Sequence, residues 1–114
     1  MAADAIEDAG MIVAELDRNT STALKKKLPA AASVGNPIDV LATAAAPHYR
    51  AAMDVLLEEE SIDSIYINFV TPPFVDTESV AREMAEVSKM NIKPLICNYM
   101  TDKPQWTGTT AILN

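Results

Sequence analysis

Ile65, Ile67 and Phe69 alternate with Tyr66 and Asn68, inside a run from Ile62 to Val70. The run is apolar enough to be a strand buried on both faces. Pro94-Leu95-Ile96-Cys97-Asn98 reads as a second buried strand, and Met11 to Leu16 as a third, shorter one. Elsewhere a helical period takes over. Tyr49, Ala52, Met53, Leu56 and Leu57 form one apolar stripe, with Arg50 and Asp54 paired at i,i+4 on the outside. Val80, Met84, Val87 and Asn91 make the core face of another helix, capped by Asp76 or Thr77 and ended by the asparagine. Leu24 and Leu28 lie one turn apart on a helix with Ser21 as N-cap and Pro29 as its stop. Ala2, Ala3, Ile6 and Ala9 mark a helix over 1–10, closed by Gly10 in the left-handed region.

The connections have their own signals. Leu41 to Ala46 reads as a loop, and Pro47 suits the first position of the next helix. Glu58, Glu59 and Glu60 end that helix, and three acids there oppose the dipole, so fraying is expected. Thr71-Pro72-Pro73 breaks the pattern after the clearest strand. Thr101 to Gly108 is a loop, and Thr109 to Asn114 reads as part of a helix. Helices and strands therefore alternate, which implies a parallel sheet covered by helices on both faces. No strand precedes the first helix and none follows the last, as in a doubly wound domain cut at both ends.

Gly35-Asn36-Pro37-Ile38-Asp39-Val40 is the most distinctive corner. Gly35 permits positive φ, and Pro37 biases Asn36 toward extended backbone. An amide and a carboxylate are thereby held three residues apart. If Ile38 enters a core, Asp39 points the other way, as at a strand end on the rim of a sheet. The alternative is a turn in which Asn36 and Asp39 tie up loose backbone amides.

Composition narrows the classes. The 114 residues make at most one domain, with 49% hydrophobic and 22% charged residues, an ordinary globular balance. A net charge of −7 repels a phosphate backbone and argues against nucleic acid as partner. Lys25, Lys26 and Lys27 form the one basic run and suit the solvated last turn of a helix. No stretch approaches a membrane span, no signal peptide is recognisable, and one cysteine excludes a disulfide scaffold. A cytoplasmic soluble protein is expected.

Polar residues gather after the strands: Asn36 and Asp39, then Asn68 and Thr71, then Asn98 and Thr101. In open α/β sheets ligands bind outside the carboxyl ends of the strands. The sequence has no phosphate loop, no Cys/His metal set and no nucleophile elbow. His48, the single histidine, reads as a surface residue on a helix start; Cys97 reads as a small buried hydrophobe; Trp106 reads as a packing anchor in its loop.

The run Met1 to Gly10, then Ala14-Glu15-Leu16, Leu28-Pro29 and Ala32 to Val40, resembles the last CoA-ligase subdomain of NDP-forming acyl-CoA synthetases. ADP-forming acetyl-CoA synthetase belongs to that family, and succinyl-CoA synthetase is a more distant relative. Tyr49-Arg50-Ala51-Ala52, Ile62-Asp63-Ser64-Ile65 and Lys93-Pro94 match in order, so the resemblance covers essentially the whole chain. Its most specific part is Asn36-Pro37-Ile38-Asp39 after a Leu-Pro helix end.

The resemblance implies an α/β fold: a three-layer, flavodoxin-like, doubly wound parallel sheet with its first strand missing. It implies the reaction acyl-CoA + ADP + phosphate ⇌ acid + CoA + ATP, run through a phosphohistidine, with CoA, ATP/ADP and Mg2+ used by the parent enzyme. In that family a Gly-rich loop precedes the helix that here begins at Met1. Met1 and Ala2 would then form a phosphate-facing helix start, and Asn36, Pro37, Asp39 and Thr71 an active-site rim. The chain departs from the pattern in lacking that loop, the strand before it and the segment after Asn114. His48 does not match the phosphorylated histidine, which belongs to another subdomain. The expectation is a part of an acid–thiol ligase, inactive alone, whose partners are other subdomains or subunits, or a second copy paired through open sheet edges. The alternative is a non-catalytic binding or regulatory module of the same fold, such as one attached to an acyltransferase.

Overall fold

The computed structural model describes residues 2–40, 44–70, 76–100 and 112. Its elements are α1 (Ala2–Asp8), α2 (Arg18–Lys27), α3 (Ala46–Glu58), β1 (Ile65–Val70), α4 (Thr77–Lys89) and β2 (Leu95–Met100). β1 and β2 run parallel, in a register that pairs Ile65 with Leu95 and Asn68 with Asn98. Two parallel neighbours need a crossover, and α4 supplies it. The expected order of helix, strand and helix is thus present from α3 onward. The prolines at 72 and 73, Trp106 and the expected helix over 109–114 lie outside the described residues, apart from Ile112, which is helical.

α3 is the hinge of the packing. Met53 joins Phe69, Val80, Met84 and Val87 in one buried cluster between α3, α4 and β1. Ala52 and Val55 join Leu24 and Leu28 in a second cluster, on the side of α2. The sequence shows one stripe on this helix; the structure buries two flanks, which is why Val55 is buried although it lies off the stripe. Burying a side chain such as Phe69, Leu24 or Met84 stabilises by roughly 1.5–3 kcal/mol. α2 packs on α3, and Thr20 near its start donates to the Glu59 carboxylate just beyond the end of α3.

The caps follow side-chain reach. Asp17, not Ser21, is the N-cap of α2, accepting from the Thr20 amide at 2.7 Å. Asp76 rather than Thr77 caps α4, accepting from the Ser79 amide at 3.2 Å and its hydroxyl at 2.6 Å. α3 starts at Ala46, one residue before Pro47. His48 is no idle surface residue: its Nδ1 accepts from the Ala45 amide at 3.0 Å. This is half of a capping box, because Ala45 has no acceptor to return. Gly10 does adopt a left-handed φ of +89°, and Asn91, with φ +55°, is exposed beyond α4 and not on its core face.

Three expectations fail for physical reasons. Residues 11–17 form no strand, and Ile12 is 87% exposed. A strand needs a neighbour to take its backbone groups, and the carbonyl of Ala14 is taken instead by the Asn36 side chain. The three acids do not leave the end of α3 to fray. Lys93 Nζ donates to the carbonyls of Leu56 and Glu59, so a cation sits at the negative end of the dipole. Finally, β1 is not buried on both faces. Ile65 and Phe69 are buried, but Tyr66 is 40% exposed and Asn68 is exposed, as are their β2 neighbours Ile96 and Asn98.

Candidate functional site

The corner of residues 33–39 is a closed loop and not a strand end. Ser33 and Asp39 exchange both main-chain hydrogen bonds, at 2.9 and 3.0 Å, as an isolated antiparallel bridge. Gly35, Asn36 and Pro37 form the exposed tip, and the Asn36–Pro37 peptide bond is cis. Asn36 Nδ2 donates to the Ala14 carbonyl at 2.7 Å, so the tip is tied back to the segment before α2. The base of the loop is held by apolar packing. Ile38 and Val40, on either side of Asp39, pack against the cluster of Leu24, Leu28, Ala52 and Val55. The turn alternative of the sequence reading is thus half right: Asn36 does satisfy backbone, but a carbonyl and at a distance.

Asp39 itself is exposed, and its charge acts on the phenol of Tyr49. Burial first, and Asp39 second, hold the Tyr49 hydroxyl above its usual pKa. Tyr49 stands in the first turn of α3, and its ring meets Phe69 edge to face, centroids 5.2 Å apart. Phe69 is near the carboxyl end of β1. The Tyr49 ring therefore joins the start of α3 to the end of β1.

Asn68 and Asn98 also come together. They are register partners, and Asn98 Nδ2 donates to Asn68 Oδ1 at 3.1 Å on the open face of the sheet. They lie within the strands and not beyond them. Thr71, Thr101 and Met1 lie outside the described residues, and Ala2 opens α1, a helix of seven residues. Cys97 is half-buried, and burial pushes its thiol up to about 11, so it stays protonated and unreactive at neutral pH. Among the described residues no three His, Cys, Asp or Glu side chains gather to hold a metal ion. No helix among them is long and apolar enough to cross a membrane.

Parallel strands joined by a helix, with α3 and α4 packed on one face, define an α/β domain of flavodoxin-like arrangement. Residues 1–105 match the Ligase-CoA domain, and the chain belongs to that family. The alpha subunit of ADP-forming acetate–CoA ligase II from Pyrococcus furiosus is 30% identical over 106 residues, covering 88% of this chain and 23% of that protein. ADP-forming acetate–CoA ligase I from Archaeoglobus fulgidus is 36% identical over 72 residues, 63% of this chain and 10% of that protein. A crystal structure from Pyrococcus horikoshii OT3 superposes with a TM-score of 0.86 at 25% identity, over 96% of this chain and 26% of the other. The apo dinucleotide-forming acetyl-coenzyme A synthetase 1 of Candidatus Korarchaeum cryptofilum shares the fold, with a TM-score of 0.84 at 19% identity, over 97% of this chain and 25% of the other. The chain thus spans a quarter or less of the curated relatives it matches.

Proposed function

We propose that this chain serves as the CoA-ligase domain of an ADP-forming acyl-CoA synthetase, working in the cytoplasm. It would contribute to acyl-CoA + ADP + phosphate ⇌ acid + CoA + ATP in an active site shared with other subdomains or subunits. The observation that carries this reading is the match to the Ligase-CoA domain over residues 1–105, which contains the whole Asn36–Asp39 corner. The names of the two acetate–CoA ligases support acetate or a similar small acid as the acyl group.

In this reading Asn36, Pro37 and Asp39 form part of the active-site rim, with Thr71, Met1 and Ala2 as further contributors. Asp39 is a poor direct ligand for phosphate, because like charges repel. Its role is to hold the loop, while Asn36 keeps the tip in place through Ala14. CoA and ATP/ADP are substrates of the complete enzyme. Mg2+ finds no donor set among the described residues, so no step is assigned to it here. His48 is committed to capping α3 and is not the phosphoryl carrier in this reading.

The test is complementation. A synthetase from which the corresponding domain has been deleted is mixed with the purified chain, and ATP formation from acetyl-CoA, ADP and phosphate is followed. The chain alone should give none, and the mixture should recover turnover. Activity of the chain alone, or no recovery from a folded chain when the host's own domain restores it, would overturn the reading. Ligand binding without recovery would favour the non-catalytic module instead.

The exposed face around Tyr66 and Ile96 favours one addition, a homodimer of the chain when its synthetase partners are absent. Sedimentation across a concentration series checks it; a monomer at every concentration removes it.

A further inference from the structure

We propose that Ser21 of α2 is a positioning residue: its hydroxyl holds the main chain of the loop over residues 33–39 at Val34, and so sets where the tip of that loop stands. The proposal rests on the reading of the loop as an active-site rim.

Ser21 Oγ donates to the Val34 carbonyl at 3.3 Å, in a partly buried contact. Val34 is the last residue before the exposed tip of Gly35, Asn36 and Pro37. On the far side of Gly35, Asn36 Nδ2 donates to the Ala14 carbonyl at 2.7 Å. The tip is therefore tied down on both sides of its glycine. Gly35 supplies no anchor of its own, because a Cβ placed there would meet nothing within 4 Å. Beneath the tip, Ser33 and Asp39 exchange main-chain hydrogen bonds at 2.9 and 3.0 Å and close the loop.

α2 is well placed to carry this tie. Ser21, Leu24 and Leu28 follow one another at spacings of three and four, which is one helix face. Leu24 and Leu28 are buried in the cluster on which Val34, Ile38 and Val40 pack. Such packing is non-directional, so it holds the base of the loop without fixing the tip. A hydrogen bond is directional and does fix it. The helix does not need the Ser21 hydroxyl for its own start, since Asp17 is the cap. An alanine would suit the helix better. What the hydroxyl adds is a donor for the Val34 carbonyl. The support is itself anchored: the neighbouring Thr20 hydroxyl donates to the Glu59 carboxylate beyond the end of α3.

The experiment uses the chain itself, then the complemented synthetase. Ser21→Ala removes the hydroxyl and Ser21→Thr keeps one. Thr22→Ala removes a hydroxyl from the exposed side of the same turn. The Val34 carbonyl shares its peptide group with the Gly35 amide, so the Gly35 resonance reports directly on the bond. Ser21→Ala should shift the amide resonances of Gly35 and Asn36 and quicken hydrogen exchange at Ser33 and Asp39. Ser21→Thr should keep the parent's values, and Thr22→Ala should leave the loop unmoved. In the complemented synthetase, Ser21→Ala should lower kcat by roughly three- to tenfold at unchanged KM, as for an intact but misplaced site. Ser21→Thr should restore it.

The proposal is overturned if the Gly35 amide ignores Ser21→Ala, if Thr22→Ala moves the loop as much, or if Ser21→Thr restores neither the shifts nor kcat. Parent values of kcat and KM in Ser21→Ala overturn it too. The resonance and exchange measurements need no catalysis. Failure of the parent chain to complement therefore counts against the synthetase reading, while the tie between Ser21 and Val34 is decided by the spectra.

Discussion

Asn36 gives its side-chain hydrogen to the carbonyl of Ala14, 22 residues earlier in the chain, at 2.7 Å. In a paired strand that carbonyl would be met by a backbone N–H. Here a side chain meets it, and the segment before α2 is tethered to the loop before α3. The residue has to be an amide, because a carboxylate has no hydrogen to give.

Replacing Asn36 tests this tether. Asn36→Ala should lower stability by up to about 1 kcal/mol, the net worth of one hydrogen bond at an exposed site. Asn36→Asp should cost more, since its carboxylate would face the Ala14 oxygen. Urea midpoints measure the loss, and amide shifts in residues 11–17 should appear in both variants. An unchanged midpoint for the aspartate variant would show that the bond contributes nothing in solution.

Stability should fall in acid, and the sign follows from three carboxylates. The Thr20 amide holds Asp17 below the usual carboxylate range. The Ser79 hydroxyl and amide do the same for Asp76, and the Thr20 and Ser61 hydroxyls for Glu59. A depressed folded pKa means that the stabilisation is complete above the unfolded value, about 4. It is lost as pH falls through the folded values. The urea midpoint should stay level from neutral pH down to about 5 and drop below about 4. Asp76→Asn should remove part of that drop, because the amide does not titrate.

Leu24 and Met84 are both fully buried, one in each cluster. Leu24→Ala and Met84→Ala should each cost about 2–5 kcal/mol, combining lost transfer energy with the cavity left behind. Because α3 belongs to both clusters, both variants should lower one common unfolding transition, followed by circular dichroism in urea. Two separate transitions in the Leu24 variant would mean that the clusters unfold independently.

Arg50 ties α3 to α4 by reaching Glu83 at 3.0 Å and Glu86 at 3.1 Å, besides Asp54 on its own helix. Hydrogen bonds to Asp54 and then Glu83 raise its pKa further. The group is a quarter exposed, so solvent screening limits its worth. Arg50→Met should cost no more than about 1 kcal/mol. The deficit should shrink in roughly 1 M salt, where the screening length is near 3 Å. Arg50→Lys should recover part of it, since an ammonium cannot serve several carboxylates as a planar fork does.

Local physics made much of this protein legible from the chain alone. The apolar periods placed α2, α3, α4, β1 and β2, because a helix or strand must put its apolar side into one core. Gly10 and Asn91 announced helix ends, because few other residues tolerate positive φ. The Asn36–Asp39 corner stood out because its residue types restrict the backbone. Tertiary structure decided what depends on neighbours distant in sequence. Residues 11–16 have the composition of a strand, but the Ala14 carbonyl went to Asn36. The acids ending α3 looked unfavourable until Lys93 arrived from the far side of α4. Tyr49 looked like one member of a stripe until its ring met Phe69 of β1 edge to face. A sequence displays each residue's own preferences; which groups distant along the chain meet is set only when the two clusters close on α3.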